Sequence, residues 1–140
     1  MAEAIYTAEA TSSGGGRDGR VRTSDGILEA DVKMPPAMGG PGGGTNPEQL
    51  FAAAYAACFH GALRLVAKNE GVQVSDDTTV DAAVGIGKDE TSFAISVTLT
   101  GHLPGLDQTQ ADGLMAAAHQ VCPYSKATRG NVQVELKAKV

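Results

Sequence analysis

Two cysteines, Cys58 and Cys122, hold the reactive potential of this 140-residue chain. A thiol becomes a nucleophile only as its thiolate, and burial alone pushes a thiol pKa up, so a working cysteine needs a cation beside it. Cys58 sits in the Ala-rich stretch Leu50-Phe51-Ala52-Ala53-Ala54-Tyr55-Ala56-Ala57-Cys58-Phe59-His60-Gly61-Ala62-Leu63. A cysteine in such a setting either packs as a small hydrophobe or, with a cation, does chemistry. Arg17 is the best candidate, because it stands in a glycine-rich turn with no packing duty and keeps its charge at any accessible pH. Arg20, Arg64 and Arg129 are rivals, and for every one of them an ordinary solvated surface position is the alternative. Glu48 is suited to the first turn of a helix, where the dipole favours a carboxylate, and to holding an arginine by a bidentate pair. Ten residues of helix, about 15 Å, separate Glu48 from Cys58, so the two cannot touch along one straight helix. If both serve one site, the natural solution is that Glu48 comes from a second copy of the chain, across two packed central helices.

Other chemistries find less support. His60, His102 and His119 show no ligand spacing with one another or with the cysteines, which argues against a metal site. No Gly-x-Ser-x-Gly elbow is present. The glycine-rich run from Met34 to Gly44 precedes a helix, but no Gly-Lys-Ser/Thr follows and Pro47 removes a donor from the helix start, so nucleotide binding is disfavoured. The formal charge of −5 leaves no basic face for nucleic acid or an anionic membrane. There is no basic-then-apolar leader pattern, and the longest apolar run falls short of the ~20 residues of a membrane span, which predicts a soluble, cytoplasmic protein. In that reducing compartment a pairing of the two cysteines, if it forms, is functional and not structural.

These residues need elements to position them. Asn46 as N-cap and Pro47 at the first helical position predict a helix that runs until Gly71 stops it. Spacing puts Leu50, Ala54, Cys58, Ala62 and Leu65 on one inward face. Residues 3–11 suit a first strand, followed by a flexible Ser-Gly turn carrying Arg17. A second strand spans residues 20–23, and Leu28, Ala30 and Val32 alternate in a third. Two alternating runs, 78–86 and 93–99, form a hairpin around Gly87-Lys88-Asp89-Glu90. Asp107 caps a second helix with the stripe Ala111, Leu114, Met115, Ala118, Cys122, and Pro123 puts Cys122 at a helix-to-turn junction. Residues 132–140 alternate as a closing strand. The expected fold is one α+β domain over residues 1–140, a mainly antiparallel sheet wrapped around a central buried helix. That helix is apolar around most of its circumference, and one sheet covers one side only, so a homodimer is expected.

Three motifs together resemble one family. Gly15-Gly16-Arg17-Asp18-Gly19, then Gly44-Thr45-Asn46-Pro47-Glu48-Gln49-Leu50-Phe51 running to Ala56-Ala57-Cys58-Phe59, then Val121-Cys122-Pro123-Tyr124-Ser125 through Ala127-Thr128-Arg129-Gly130-Asn131 are similar, in this order, to the organic hydroperoxide resistance family of the osmotically inducible protein C superfamily. The resemblance spans essentially the whole chain. It implies a thiol peroxidase acting on organic hydroperoxides, with Cys58 peroxidatic, Cys122 resolving through an intramolecular disulfide, and Arg17 with Glu48 as the activating pair. It further implies an intertwined homodimer, no bound cofactor, and dihydrolipoamide or a lipoylated protein as reductant. Met38, Phe51 and Met115, with Met34, Pro35 and Pro36, are candidates to line an apolar substrate approach, against ordinary core packing as their alternative. A peroxide-responsive sensor without turnover and an apolar-ligand carrier are the competing functions.

Overall fold

A computed structural model describes residues 2–140, in two compact units, one up to Leu50 and the other Phe51–Val140. The first unit is a three-stranded antiparallel sheet, β1 (Ala10–Gly14), β2 (Gly19–Thr23) and β3 (Glu29–Val32). β1 starts later than expected and runs through Ser12 and Ser13 to Gly14, whereas Ile5 and Tyr6 lie outside it and exposed. All five residues of β1 are exposed, so no apolar alternation marks it; its pairing with β2, from Ala10 opposite Thr23 to Gly14 opposite Gly19, defines it instead. The expected flexible turn is thereby shortened to Gly15-Gly16-Arg17-Asp18, closed by a hydrogen bond from the Gly15 N–H to the Asp18 carbonyl. Gly19 opens β2 where a Cβ would collide with the Ser13 carbonyl, so the tight approach needs glycine. The loop after β3 holds one 3-10 turn, Pro36–Met38, which the Pro- and Gly-rich composition conceals.

Helix α1 (Pro47–Asn69) begins as expected: the Asn46 side chain accepts the Gln49 N–H at 2.8 Å and Pro47 occupies the first position. It ends in a Schellman motif, with Gly71 at φ 70° donating to Lys68 O and Val72 donating to Ala67 O. Its buried face comprises Tyr55, Phe59, Ala62, Leu63, Val66 and Ala67. The expected face is rotated: Leu65 is 53% exposed and Cys58 lies beside the buried stripe. Burying two aromatic rings removes far more apolar area from water than burying alanines, and that decides the rotation. At 23 residues α1 is long and apolar enough to cross a bilayer, contrary to the expectation that no run reaches that length, but it is the core helix of this fold.

The second unit carries a three-stranded sheet, β4 (Thr79–Lys88), β5 (Phe93–His102) and β6 (Gln133–Lys139), with α2 (Gln108–Val121) and α3 (Pro123–Thr128) between β5 and β6. The hairpin is longer than predicted and turns at Asp89, whose carboxylate accepts the N–H groups of Thr91 and Ser92. β6 pairs with β5 in parallel, so there are two small sheets, and the second is mixed. Alternation along β6 reports one wet face, not a direction; the helical crossover returns the chain to the same end of the sheet. Val84, Val97 and Val134 lie in register across the three strands, as do Ala82, Leu99 and Leu136, and they pack under α1 and α2. Asp107 and Gln110 form a reciprocal capping box at the start of α2. Helix α3 was not anticipated: six residues are too few to show a period.

Candidate active site

Cys58 lies in the middle of α1, and Cys122 is both the last cap of α2 and the first cap of α3, with Pro123 following. The Cys122 N–H donates to Ala118 O at 2.9 Å and its carbonyl accepts the Lys126 N–H at 3.0 Å, so its backbone is pinned from both helices. The two Sγ atoms stand 3.7 Å apart as free thiols, Cys122 fully buried and Cys58 half-buried. Burial pushes the Cys58 thiol above its ordinary pKa; the Tyr124 backbone N–H acts in the opposite direction, and the neighbouring Cys122 adds to the rise. Nothing cationic from residues 51–140 figures among these influences. Phe51, Tyr55 and Tyr124 form an aromatic cluster with centroids 5.7 to 6.4 Å apart.

The first unit assembles the other pair. Arg17, at the β1–β2 turn, meets Glu48, in the first turn of α1, through two parallel bonds: Nη1 to Oε2 at 3.1 Å and Nη2 to Oε1 at 2.8 Å. The turn is tethered to the residue just after β3 by an ion pair between Lys33 and Asp18. The Glu48 side chain is 13% exposed and that of Arg17 39%. The bond to Arg17 holds the Glu48 carboxyl below the usual carboxylate range, and the same bond raises Arg17. This is the expected bidentate pair, and both its members belong to one chain.

The rival arginines are occupied. Arg20 bridges Glu29 and Asp31 on β3, Arg64 donates to His60 and to the Ser75 carbonyl, and Arg129 donates to the His119 carbonyl. Phe51 belongs to the aromatic cluster, Met115 is buried against Gly101 of β5, and Met38 ends the 3-10 turn, half-buried. A shallow hollow of about 450 Å³ opens between residues 73–76 and Pro104-Gly105, and none of the candidate residues lines it. No cluster of three metal-ligating side chains occurs among the described residues. Sequence reasoning missed Tyr124 and a linked set of polar groups, the buried Tyr55, Ser125 and Thr128 with the half-buried His119. A tyrosine in an otherwise apolar helix and a Ser-x-x-Thr pair just after Cys122-Pro123 were the available signals.

Residues 40–137 match the model of the OsmC-like protein family. The chain is 50% identical over 133 residues to the organic hydroperoxide resistance protein of Xanthomonas axonopodis pv. citri, covering 94% of this chain and 93% of that one. The chain belongs to the organic hydroperoxide resistance branch of the OsmC-like family. It is also 49% identical to organic hydroperoxide resistance protein OhrB of Bacillus subtilis, over 97% of this chain and 99% of that one. The fold matches the crystal structure of an organic hydroperoxide resistance protein from Legionella pneumophila with a TM-score of 0.92 and 47% identity, across 99% of this chain and all of that one. Two small sheets and a long central helix are therefore the architecture of this branch.

Proposed function

We propose that the protein is a cytoplasmic thiol peroxidase that reduces organic hydroperoxides to alcohols, with Cys58 as the peroxidatic and Cys122 as the resolving cysteine. The observation that carries this reading is the 3.7 Å separation of two free thiols, one of them half-exposed. The Cys58 thiolate attacks one peroxide oxygen, the O–O bond breaks, and the alkoxide leaves with a proton as the alcohol. Cys58 is left as a sulfenic acid. The Cys122 sulfur attacks it, the S–O bond breaks, water departs, and a disulfide forms before a second peroxide can oxidise Cys58 further. An incoming dithiol then opens the disulfide through a mixed disulfide and closes on itself, which favours dithiols over monothiols. Dihydrolipoamide or a lipoylated protein fits that role by family resemblance, and no bound cofactor is required.

The Cys58 thiol, raised by burial, needs a cation to work as a thiolate near neutral pH. Arg17 held by Glu48 is the assigned source. The ten residues separating Glu48 from Cys58 along α1 support a partner subunit's pair serving each thiol across two packed copies of α1 in an intertwined homodimer. Ala53, Ala57, Gly61 and Leu65 form an exposed apolar line on α1 that suits such packing. Relatives that match almost the full chain across both compact units support residues 1–140 as one functional domain. Phe51 is the best supported of the proposed substrate-lining residues, through its contact with Tyr124 beside the thiols. Met38 and Met115 are assigned to the same apolar approach.

The test is consumption of an organic hydroperoxide by wild type, Cys58→Ser and Cys122→Ser, with dihydrolipoamide or a monothiol as reductant. Many turnovers with dihydrolipoamide, and none in Cys58→Ser, are expected. Consumption of a single equivalent with every reductant would instead make the protein a sensor.

A further inference from the structure

Three helices bring the thiols together, and one chain of polar groups, three of them buried and the fourth half-buried, ties the same three helices to one another. Tyr55 on α1 stands three residues before Cys58, His119 on α2 three before Cys122, and Ser125 on α3 three after it. Ser125 Oγ lies 2.8 Å from both the Tyr55 hydroxyl and His119 Nδ1. The Tyr55 hydroxyl lies 3.1 Å from Thr128 Oγ1, which in turn lies 3.1 Å from the Ser125 carbonyl. Tyr55 and Ser125 are 0% exposed and Thr128 4%.

The protons of this set run equally well in either direction: Tyr55, Ser125 and Thr128 each bring one O–H and accepting lone pairs, and His119 Nδ1 donates or accepts with its tautomer. In both directions Ser125 Oγ joins α2 to α1 through His119 and Tyr55. Burial and the neighbouring Arg129 hold His119 below its ordinary pKa, which favours the neutral ring.

We propose that the His119–Ser125–Tyr55–Thr128 chain is a positioning device that holds α3 on α1 and α2, so that Cys122 captures the Cys58 sulfenic acid before a second peroxide does. The proposal rests on the peroxidase reading above. A disulfide needs the sulfurs to close from 3.7 Å to about 2.05 Å, a displacement that small adjustments supply only while α3 stays docked. The two fates of the sulfenic acid are distinct reactions. With Cys122 it gives a disulfide and water; with a second hydroperoxide it gives a sulfinic acid and an alcohol. Loosening α3 slows the first and leaves the second untouched. None of the four residues needs to meet the peroxide, so the capture of peroxide by Cys58 is independent of them.

Single-turnover kinetics on the full chain with tert-butyl hydroperoxide separate the two steps, and intact mass measures the sulfinic acid. In Ser125→Ala and His119→Leu the first step is expected to keep its wild-type rate, while disulfide formation slows roughly ten- to hundredfold and sulfinic acid accumulates. His119→Gln, whose amide both donates to and accepts from a hydroxyl, is expected to recover most of the loss. Wild-type disulfide formation in Ser125→Ala overturns the proposal. If Ser125→Ala does not fold, the His119→Leu and His119→Gln pair decides it, and wild-type disulfide formation in His119→Leu overturns it. Failure of wild type to form a disulfide with peroxide would instead defeat the peroxidase reading, and the positioning role with it.

Discussion

Cys58 and Cys122 face each other at 3.7 Å from structurally unequal positions, the first in the unbroken middle of a 23-residue helix and the second at a joint between two shorter ones. Closing to a disulfide therefore falls to small side-chain adjustments, because α1 is unbroken at Cys58 and the Cys122 backbone is bonded into both α2 and α3. One equivalent of an organic hydroperoxide should convert both thiols to an intramolecular disulfide without a change of oligomeric mass. Cys122→Ser should consume the first equivalent at the wild-type rate and then lose activity as Cys58 passes to sulfinic acid. Mass spectrometry after stepwise peroxide addition checks this; a Cys122→Ser enzyme that turns over without inactivation would remove Cys122 from the cycle.

The bidentate pair of Arg17 and Glu48 sets a second expectation. Removing one partner of a charge-assisted, part-buried pair costs about 1.5–3 kcal/mol. If that energy positions the arginine for the transition state, Glu48→Gln should lower kcat/KM for an organic hydroperoxide roughly ten- to hundredfold. Arg17→Lys should not restore activity, because an ammonium cannot reproduce the two parallel bonds. Steady-state kinetics decide it, and near-wild-type activity in Arg17→Lys would show that charge alone suffices.

The local devices of this fold were legible, since each is written within a few residues: Asn46-Pro47 opens α1, Gly71 ends it, and Asp107 caps α2. That Arg17 and Glu48 pair was legible because Arg17 stands in a glycine-rich turn with no packing duty and the first turn of a helix favours a carboxylate. What escaped depends on distant partners. The direction of β6 is set by the crossover, and β1 is defined by β2 and not by its own side chains. The inward face of α1 follows the two rings, Tyr55 and Phe59, not the alanine spacing. The hydrogen bonds of Tyr55 span about half the chain, and no sequence period reports them.

Acid should affect the pair in a defined direction. Arg17 depresses the Glu48 pKa in the folded state, so the pair contributes stability that is fully present above the ordinary glutamate pKa. That contribution is lost as pH falls through the lower, folded value. Thermal unfolding of wild type and Glu48→Gln, compared at descending pH, should show a difference in Tm that is largest near neutrality and closes in acid. A gap that widens in acid would reverse the assigned sign.

The exposed line on α1 carries the last expectation. Leu65 is 53% exposed while Leu63 and Val66 on the neighbouring face are buried, so a charge at position 65 leaves the core of the chain intact. Leu65→Glu should therefore keep its helical circular dichroism and cooperative unfolding, yet sediment as a monomer where wild type is expected to sediment as a dimer. Two carboxylates facing each other in an apolar contact are costly to bury, and the monomer avoids that cost. If the Arg17–Glu48 pair of one subunit serves the thiol of the other, peroxidase activity must fall with the dimer fraction and return at high protein concentration. Concentration-dependent sedimentation run beside single-turnover kinetics tests both halves. Full activity in a monomeric Leu65→Glu protein would place the arginine, the carboxylate and the thiol within one chain.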